Sequence, residues 1–175
     1  ALGDAASAAL WAAHDRVARD LLRAWRGREI DRTDGFLLLF DSATDAAGYA
    51  VAYHRAIAGV DARLKARAGL HVGSVVLMEN SAADVALGAK PLEIEGLAKP
   101  LAARIMALAG PGRTLLSATS AAAVDLSALG GQTLHYHGHY RLKGIAEPVP
   151  IAELAPPDAA CPPPADAEKA YRVVR

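Results

Sequence analysis

The chain has 175 residues, 53% hydrophobic and 22% charged, enough to bury one ordinary core. Its 19 Lys and Arg balance its 19 Asp and Glu, and aromatics make up only 5%, which argues against both the basic field and the stacking surface that nucleic-acid binding needs. No apolar stretch approaches the roughly 20 residues of a membrane span, no signal peptide opens the chain, and the single cysteine, Cys161, excludes an internal disulfide and a Cys-rich zinc site. The expectation is a cytoplasmic protein with no nucleic-acid partner and no membrane insertion. The lack of an initiator Met points to a piece of something longer.

Residues 7–25 place Leu10, His14, Val17, Leu21 and Trp25 on one stripe, with Trp11 and Leu22 beside it, which is helical spacing. Gly27 ends that helix. Residues 29–31 and 36–40 read as two short strands joined at Asp34-Gly35, a dipeptide suited to positive φ at both turn positions. Ser42 begins a second helix, to about 58, with Asp45 in a capping-box-like start and Tyr49, Tyr53, Ala56 and Ile57 as its apolar face. Residues 69–77 alternate and are rich in Val and Leu, so they read as one strand, whereas 79–92 show little periodicity and read as a loop.

A third helix is expected over 97–109, with Leu101, Arg104, Ile105 and Leu108 on its faces and Gly110-Pro111-Gly112 as its stop. A strand follows at 114–117, a helical turn at 120–124, and a closing pair of strands at 133–142 and 149–154. From Ala155 the stretch "APPDAACPPPADAEKA" reads as an extended, solvated Pro/Ala linker, and implies a further domain after it in the parent protein. The expected organisation is a domain over 1–154 and a linker and tail over 155–175. The order of elements predicts an α+β fold, an antiparallel-rich sheet with helices on one face, close to a ferredoxin-like split βαβ pattern whose first strand is missing from this chain.

Four stretches bear on chemistry: "DRTDGFLLLF" (31–40), "AGLHVGSVV" (68–76), "EIEGLAKPLAARIMALAGPGRTLLS" (93–117) and "GHYRLKGIAEPVPIAEL" (138–154). In this order and spacing they resemble the class III nucleotidyl cyclase homology domain, the adenylate/guanylate cyclase catalytic fold, over about residues 7–154. The family pattern has a Gly-Asp-Gly-Phe hairpin tip before an apolar strand, a Gly-Ile-His-x-Gly strand, and a helix with Asn-x-x-x-Arg. Pro-Gly and a strand ending in Ser follow, then a Leu-Lys-Gly-x-x-x-Pro segment.

The resemblance implies conversion of ATP or GTP to the 3′,5′-cyclic nucleotide and pyrophosphate, with two Mg or Mn ions, at the interface of a homodimer or of a dimer with another cyclase domain. Asp34 then matches a metal-binding Asp, and its alternative role is simply to serve the turn. Arg104 matches the transition-state Arg, and its alternative is a salt-bridged or solvated residue at the edge of an apolar face. Lys143 matches the Lys that binds the outer phosphates. Glu93 falls where adenylyl enzymes carry the Asp that reads the adenine amino group. The second base-reading position falls on Arg32 or Asp31, because "EIDRTDG" is one residue short of the pattern.

Two departures stand against the resemblance. Pro100 occupies the place of the ribose-orienting Asn and has neither a side-chain donor nor an N–H. One lost transition-state hydrogen bond costs about 2.7–4 kcal/mol, or about 10²–10³ in rate. The strand bearing the other metal Asp is absent from the chain, so Asp34 is the one metal ligand expected. These departures support an alternative, a catalytically degenerate domain kept for dimerisation or nucleotide sensing. Elsewhere, His71 reads as a hydrogen-bonded core histidine. His135, His137 and His139 read as an exposed polar face of a strand rather than a zinc site, and "GPGRT" as a helix-ending turn.

Overall fold

The computed structural model describes residues 4–33 and 35–173. Helix α1 (Asp4–Ala24) buries His14, Ala18 and Leu22, a face turned slightly from the expected stripe, of which Leu10, Val17, Leu21 and Trp25 are only partly buried and Trp11 beside it is exposed. Strands β1 (Arg28–Arg32) and β2 (Phe36–Leu39) pair antiparallel as the expected hairpin, with a bulge between Glu29 and Asp31. Helix α2 (Ala43–Val60) is capped by Ser42, whose side chain accepts from the Asp45 N–H. It packs against α1 so closely that Gly48 lies under the Trp25 ring, where no Cβ fits.

The remaining elements are β3 (Ala68–Leu70), β4 (Val76–Glu79), α3 (Ala82–Ala86), β5 (Leu92–Glu95), α4 (Ala98–Leu108), β6 (Thr114–Ser117), α5 (Ala118–Ala123), β7 (Thr133–Leu142), β8 (Val149–Ala155) and β9 (Ala170–Arg172). A five-stranded sheet runs β3-β6-β8-β7-β9, with β3 and β6 parallel and the other neighbours antiparallel. The parallel pair brackets α4, which packs on both strands, so this part is a βαβ crossover.

The sheet is covered on both faces rather than one. Leu115 and Leu116 are neighbours in β6 and therefore point to opposite sides. Leu115 joins Ile105, Leu108, Leu142 and Ile151 in a core under α4. Leu116 joins Ala47, Leu129 and Leu154 in a core under α2. A strand buried on both faces loses the apolar–polar alternation, and all four residues of β6 are buried.

Three expectations are corrected. The single strand over 69–77 is two, β3 and β4, because the chain between them turns across the start of α4. There a Cβ at Gly73 would stand 3.0 Å from the Ala98 Cβ, and the Val72 N–H donates to Ser120 Oγ at 2.8 Å. The loop over 79–92 instead holds the end of β4, the short α3 capped by Ser81, and a run up to β5, which pairs antiparallel with β4. The tail expected to be solvated returns to the sheet. Pro164 is buried, the Tyr140 hydroxyl donates to its carbonyl at 3.0 Å, and β9 pairs with β7. Ala170 is wholly buried in the core cluster, so apolar contact rather than composition decides where this segment lies.

Candidate functional site

Asp34, the expected metal ligand, lies outside the described residues. The residues just before it are placed. The bulge adds a residue at Ile30, which is buried, and sets Asp31 opposite Leu37. Asp31 Oδ2 lies 2.6 Å from Lys90 Nζ, and β1 packs against β5. The Lys90 ammonium holds the Asp31 carboxyl below the usual carboxylate range. Arg32 turns the other way. Its guanidinium donates to Asp15 Oδ1 of α1 at 2.7 Å and lies 5.4 Å from the Phe36 ring centre. Of the two candidates for the second base-reading position, Asp31 is therefore the one at the β5 side, and Arg32 is engaged by α1.

Glu93 is half-buried on β5, opposite Met78 of β4. Leu92 and Ile94 turn to the other side of the strand from Glu93 and Glu95, an alternation present in the sequence within a stretch of otherwise weak periodicity. Asp31, Lys90 and Glu93 thus belong to one region, where the hairpin meets β5.

Arg104 lies on α4, which packs on β7 and β9, and Lys143 lies just after β7. Arg104 is half-buried on α4 between the core residues Ile105 and Leu108 and the solvent, and its Nε is buried without a hydrogen-bond partner. A buried guanidinium N–H normally has an acceptor, and none stands among the described residues for this one. Lys143 is exposed just after β7. It lines a shallow recess of about 280 Å³ together with Arg141, Gly144, Ile145, Glu168, Lys169 and Tyr171. Pro100 sits in the first turn of α4, where a missing N–H costs the helix nothing.

The histidines divide. His71 Nδ1 lies 2.8 Å from Ser117 Oγ, the hydrogen-bonded role expected of it, and burial pushes its pKa down. His137 is not on an exposed polar face. A bulge between Tyr136 and Gly138 breaks the alternation of the three histidines, and His137 is 4% exposed with Nε2 2.9 Å from Glu153 Oε2. Partly buried Arg113 completes the trio, donating through Nε to Glu153 Oε1 at 2.8 Å and through Nη2 to the other oxygen. Arg113 and Glu153 give no sign of each other in the sequence, since 40 residues separate them and only the β6–β8 pairing brings them together.

Among the described residues no group of three or more His, Cys, Asp or Glu side chains converges as a metal site. Asp31 is already neutralised by Lys90. The described donors therefore do not fit a two-metal centre.

No protein-family model and no curated protein matches the sequence. Solved structures do match in fold. Adenylate cyclases from Trypanosoma brucei in their monomeric state superpose with a TM-score of 0.70 at 18% identity, over 93% of this chain and 90% of theirs. The adenylyl cyclase CyaB from P. aeruginosa gives 0.72 at 16%, over 88% and 84%. The guanylate cyclase domain of RhGC from Catenaria anguillulae, in complex with GTP, gives 0.60 at 13%, over 84% and 80%. The architecture of this chain is that of the class III adenylate/guanylate cyclase homology domain.

Proposed function

We propose that the chain is a nucleotidyl cyclase-type signalling domain that binds ATP or GTP and converts it, slowly, to the 3′,5′-cyclic nucleotide and pyrophosphate. The observation that carries this reading is Arg104: a guanidinium with a buried, unpartnered N–H on the helix that the cyclase pattern marks for its transition-state Arg. In this role Arg104 stabilises charge that develops on the phosphate at the reacting phosphorus. Lys143 holds the outer phosphates. Glu93 accepts a hydrogen bond from an amino group of the base. A divalent ion would enter through Asp34 and donors beyond the described residues. The active form is a dimer, since the pattern draws Arg104 and Asp34 from different subunits.

Pro100 supports a second reading. It presents no donor toward the ribose, so a domain that binds nucleotide and dimerises without turnover, regulating its neighbours, also fits.

Mass-spectrometric product analysis separates the two. The protein is incubated with ATP or GTP and Mg or Mn, beside Arg104→Ala and Asp34→Ala. A cyclic product that falls at least about 100-fold in both variants supports catalysis. Nucleotide binding without product, from a folded dimer, supports the regulatory reading. If Pro100 is what slows turnover, Pro100→Asn raises it.

A further inference from the structure

The tail and Lys143 are joined. After β8 the chain crosses the sheet, and the Arg113 guanidinium donates to the Pro162 carbonyl at 2.7 Å. It then turns back along β7, with Tyr140, Arg141 and Leu142 opposite Arg172, Tyr171 and Ala170. The ladder continues one step further, where the Lys143 N–H donates to the Lys169 carbonyl at 2.8 Å. Ala170 anchors this strand, wholly buried against a cluster that includes Ile105 and Leu108 of α4. One short strand therefore fixes the backbone of Lys143 and packs against the helix of Arg104.

The same strand brings charge. Lys169 is exposed and lines the recess beside Lys143, with Arg141 on the same wall. Among the described residues that line the recess, Glu168 is the one carboxylate, against these three cations. The Arg141 guanidinium is partly committed, donating to the Ala146 carbonyl at 3.1 Å. Two lysines remain with no acceptor named by the fold. Cations held on paired strands suit a polyanion better than single flexible lysines, because less motion is lost on binding.

We propose that the tail completes a polyphosphate site: Lys169 is a second phosphate-binding cation beside Lys143, and β9 is the splint that positions Lys143. That the polyphosphate belongs to a nucleoside triphosphate rests on the cyclase-type function proposed above. The site itself does not depend on that function.

The test uses inorganic tripolyphosphate as the probe, with ATP and GTP in parallel, by calorimetry on the full chain. Lys143→Ala and Lys169→Ala are each expected to weaken tripolyphosphate binding about tenfold. Lys65→Ala, a lysine outside the recess, is the control for a lost surface charge. Lys169→Ala indistinguishable from this control, or no tripolyphosphate binding by the parent chain, overturns the cation role. Tripolyphosphate binding that needs both lysines, without ATP or GTP binding, upholds the recess and removes the nucleotide function. The splint is read separately by hydrogen exchange. Ala170→Asp is expected to undock β9 and to expose the Lys143 amide to fast exchange while β6 and β8 stay protected. Tyr171→Pro, a proline in the middle of β9 within the full chain, is the second variant and should show the same pattern if the aspartate is accommodated. Unchanged protection at Lys143 in both variants overturns the splint.

Discussion

Two regions of this molecule reverse the usual distribution of polarity. Inside, between β6, β7 and β8, Glu153, His137 and Arg113 form an ionic trio, with Glu153 and His137 each 4% exposed. Outside, the β4–α3–β5 arm displays Val76, Leu77, Met78 and Leu87 to solvent, and all four residues of β4 are exposed. Compare β4 with β6. Both are four-residue strands rich in aliphatic side chains, yet β6 has a strand on each edge and helices over its faces, whereas β4 has β5 alone. Hydrophobicity alone does not decide burial. What matters is the number of neighbours that the topology brings. The Arg113–Glu153 pair and its His137 hydrogen bond tie β6, β7 and β8 together, and the apolar arm is a surface whose burial needs something beyond the single chain.

The largest effect should come from breaking the trio. Glu153→Ala leaves buried His137 and partly buried Arg113 without their shared acceptor, and should cost about 2–4 kcal/mol. Denaturant unfolding followed by circular dichroism measures it. Because Arg113 also holds the Pro162 carbonyl, the tail should loosen with it. Glu153→Gln keeps the shape and one acceptor oxygen and should cost less. If Glu153→Ala costs less than about 1 kcal/mol, which is the worth of a surface ion pair, the interior is more hydrated than its exposure suggests.

This contrast also explains what could be read from the sequence. Helices α1, α2 and α4 and strands β6, β7 and β8 were legible because each carries its own period or cap: the helical spacing of Leu10, His14, Val17, Leu21 and Trp25, Ser42 before Asp45, the aliphatic run at 114–117. Strand β9 was not legible. Three residues after a proline-rich stretch have no pattern of their own, and Ala170 is drawn in by a core made of residues far earlier in the chain. The break between β3 and β4 was hidden because Leu70, Val72 and Val76 keep an even spacing through a segment where the Val72 N–H bonds instead to the Ser120 hydroxyl of α5. At the candidate site, Arg104 stands on α4 and Glu93 on β5, a strand that the weak periodicity of its stretch did not announce. That Asp31 rather than Arg32 faces β5 follows from a one-residue bulge that no sequence count reveals.

The interior should also report through pH. Burial pushes His54 and His71 below the ordinary histidine pKa of 6.5, because a charged ring is poorly solvated there. The unfolded chain then binds more protons than the folded one, so stability rises with pH across this window. The contribution is complete above about 6.5 and is lost as pH falls through the lower folded values. Glu153 acts in the same direction at more acid pH, since Arg113 and His137 outweigh its desolvation and hold its pKa below the ordinary value. Melting temperature should therefore fall between pH 7.5 and 5.5, and again below pH 4.5. His54→Asn, uncharged throughout, should flatten the upper part of this slope. An unchanged slope would assign it to His71 or to groups outside the interior.

The smallest effect on stability, and the sharpest contrast, belongs to the arm. Leu77 is 44% exposed on a two-stranded ribbon, so Leu77→Asp removes little buried area and should change monomer unfolding by no more than about 0.5 kcal/mol. The same change in β6, Leu116→Asp, would place a carboxylate in a wholly buried position and unfold the chain. If the arm is the surface through which two chains meet, Leu77→Asp should instead lower the dimer fraction measured by light scattering, because a carboxylate would have to be desolvated at the contact. Its effect should grow with dilution, as expected for a change in association rather than in folding. A variant that stays dimeric at every concentration would place the dimer contact elsewhere, and would leave the exposed β4 as a surface for a different chain.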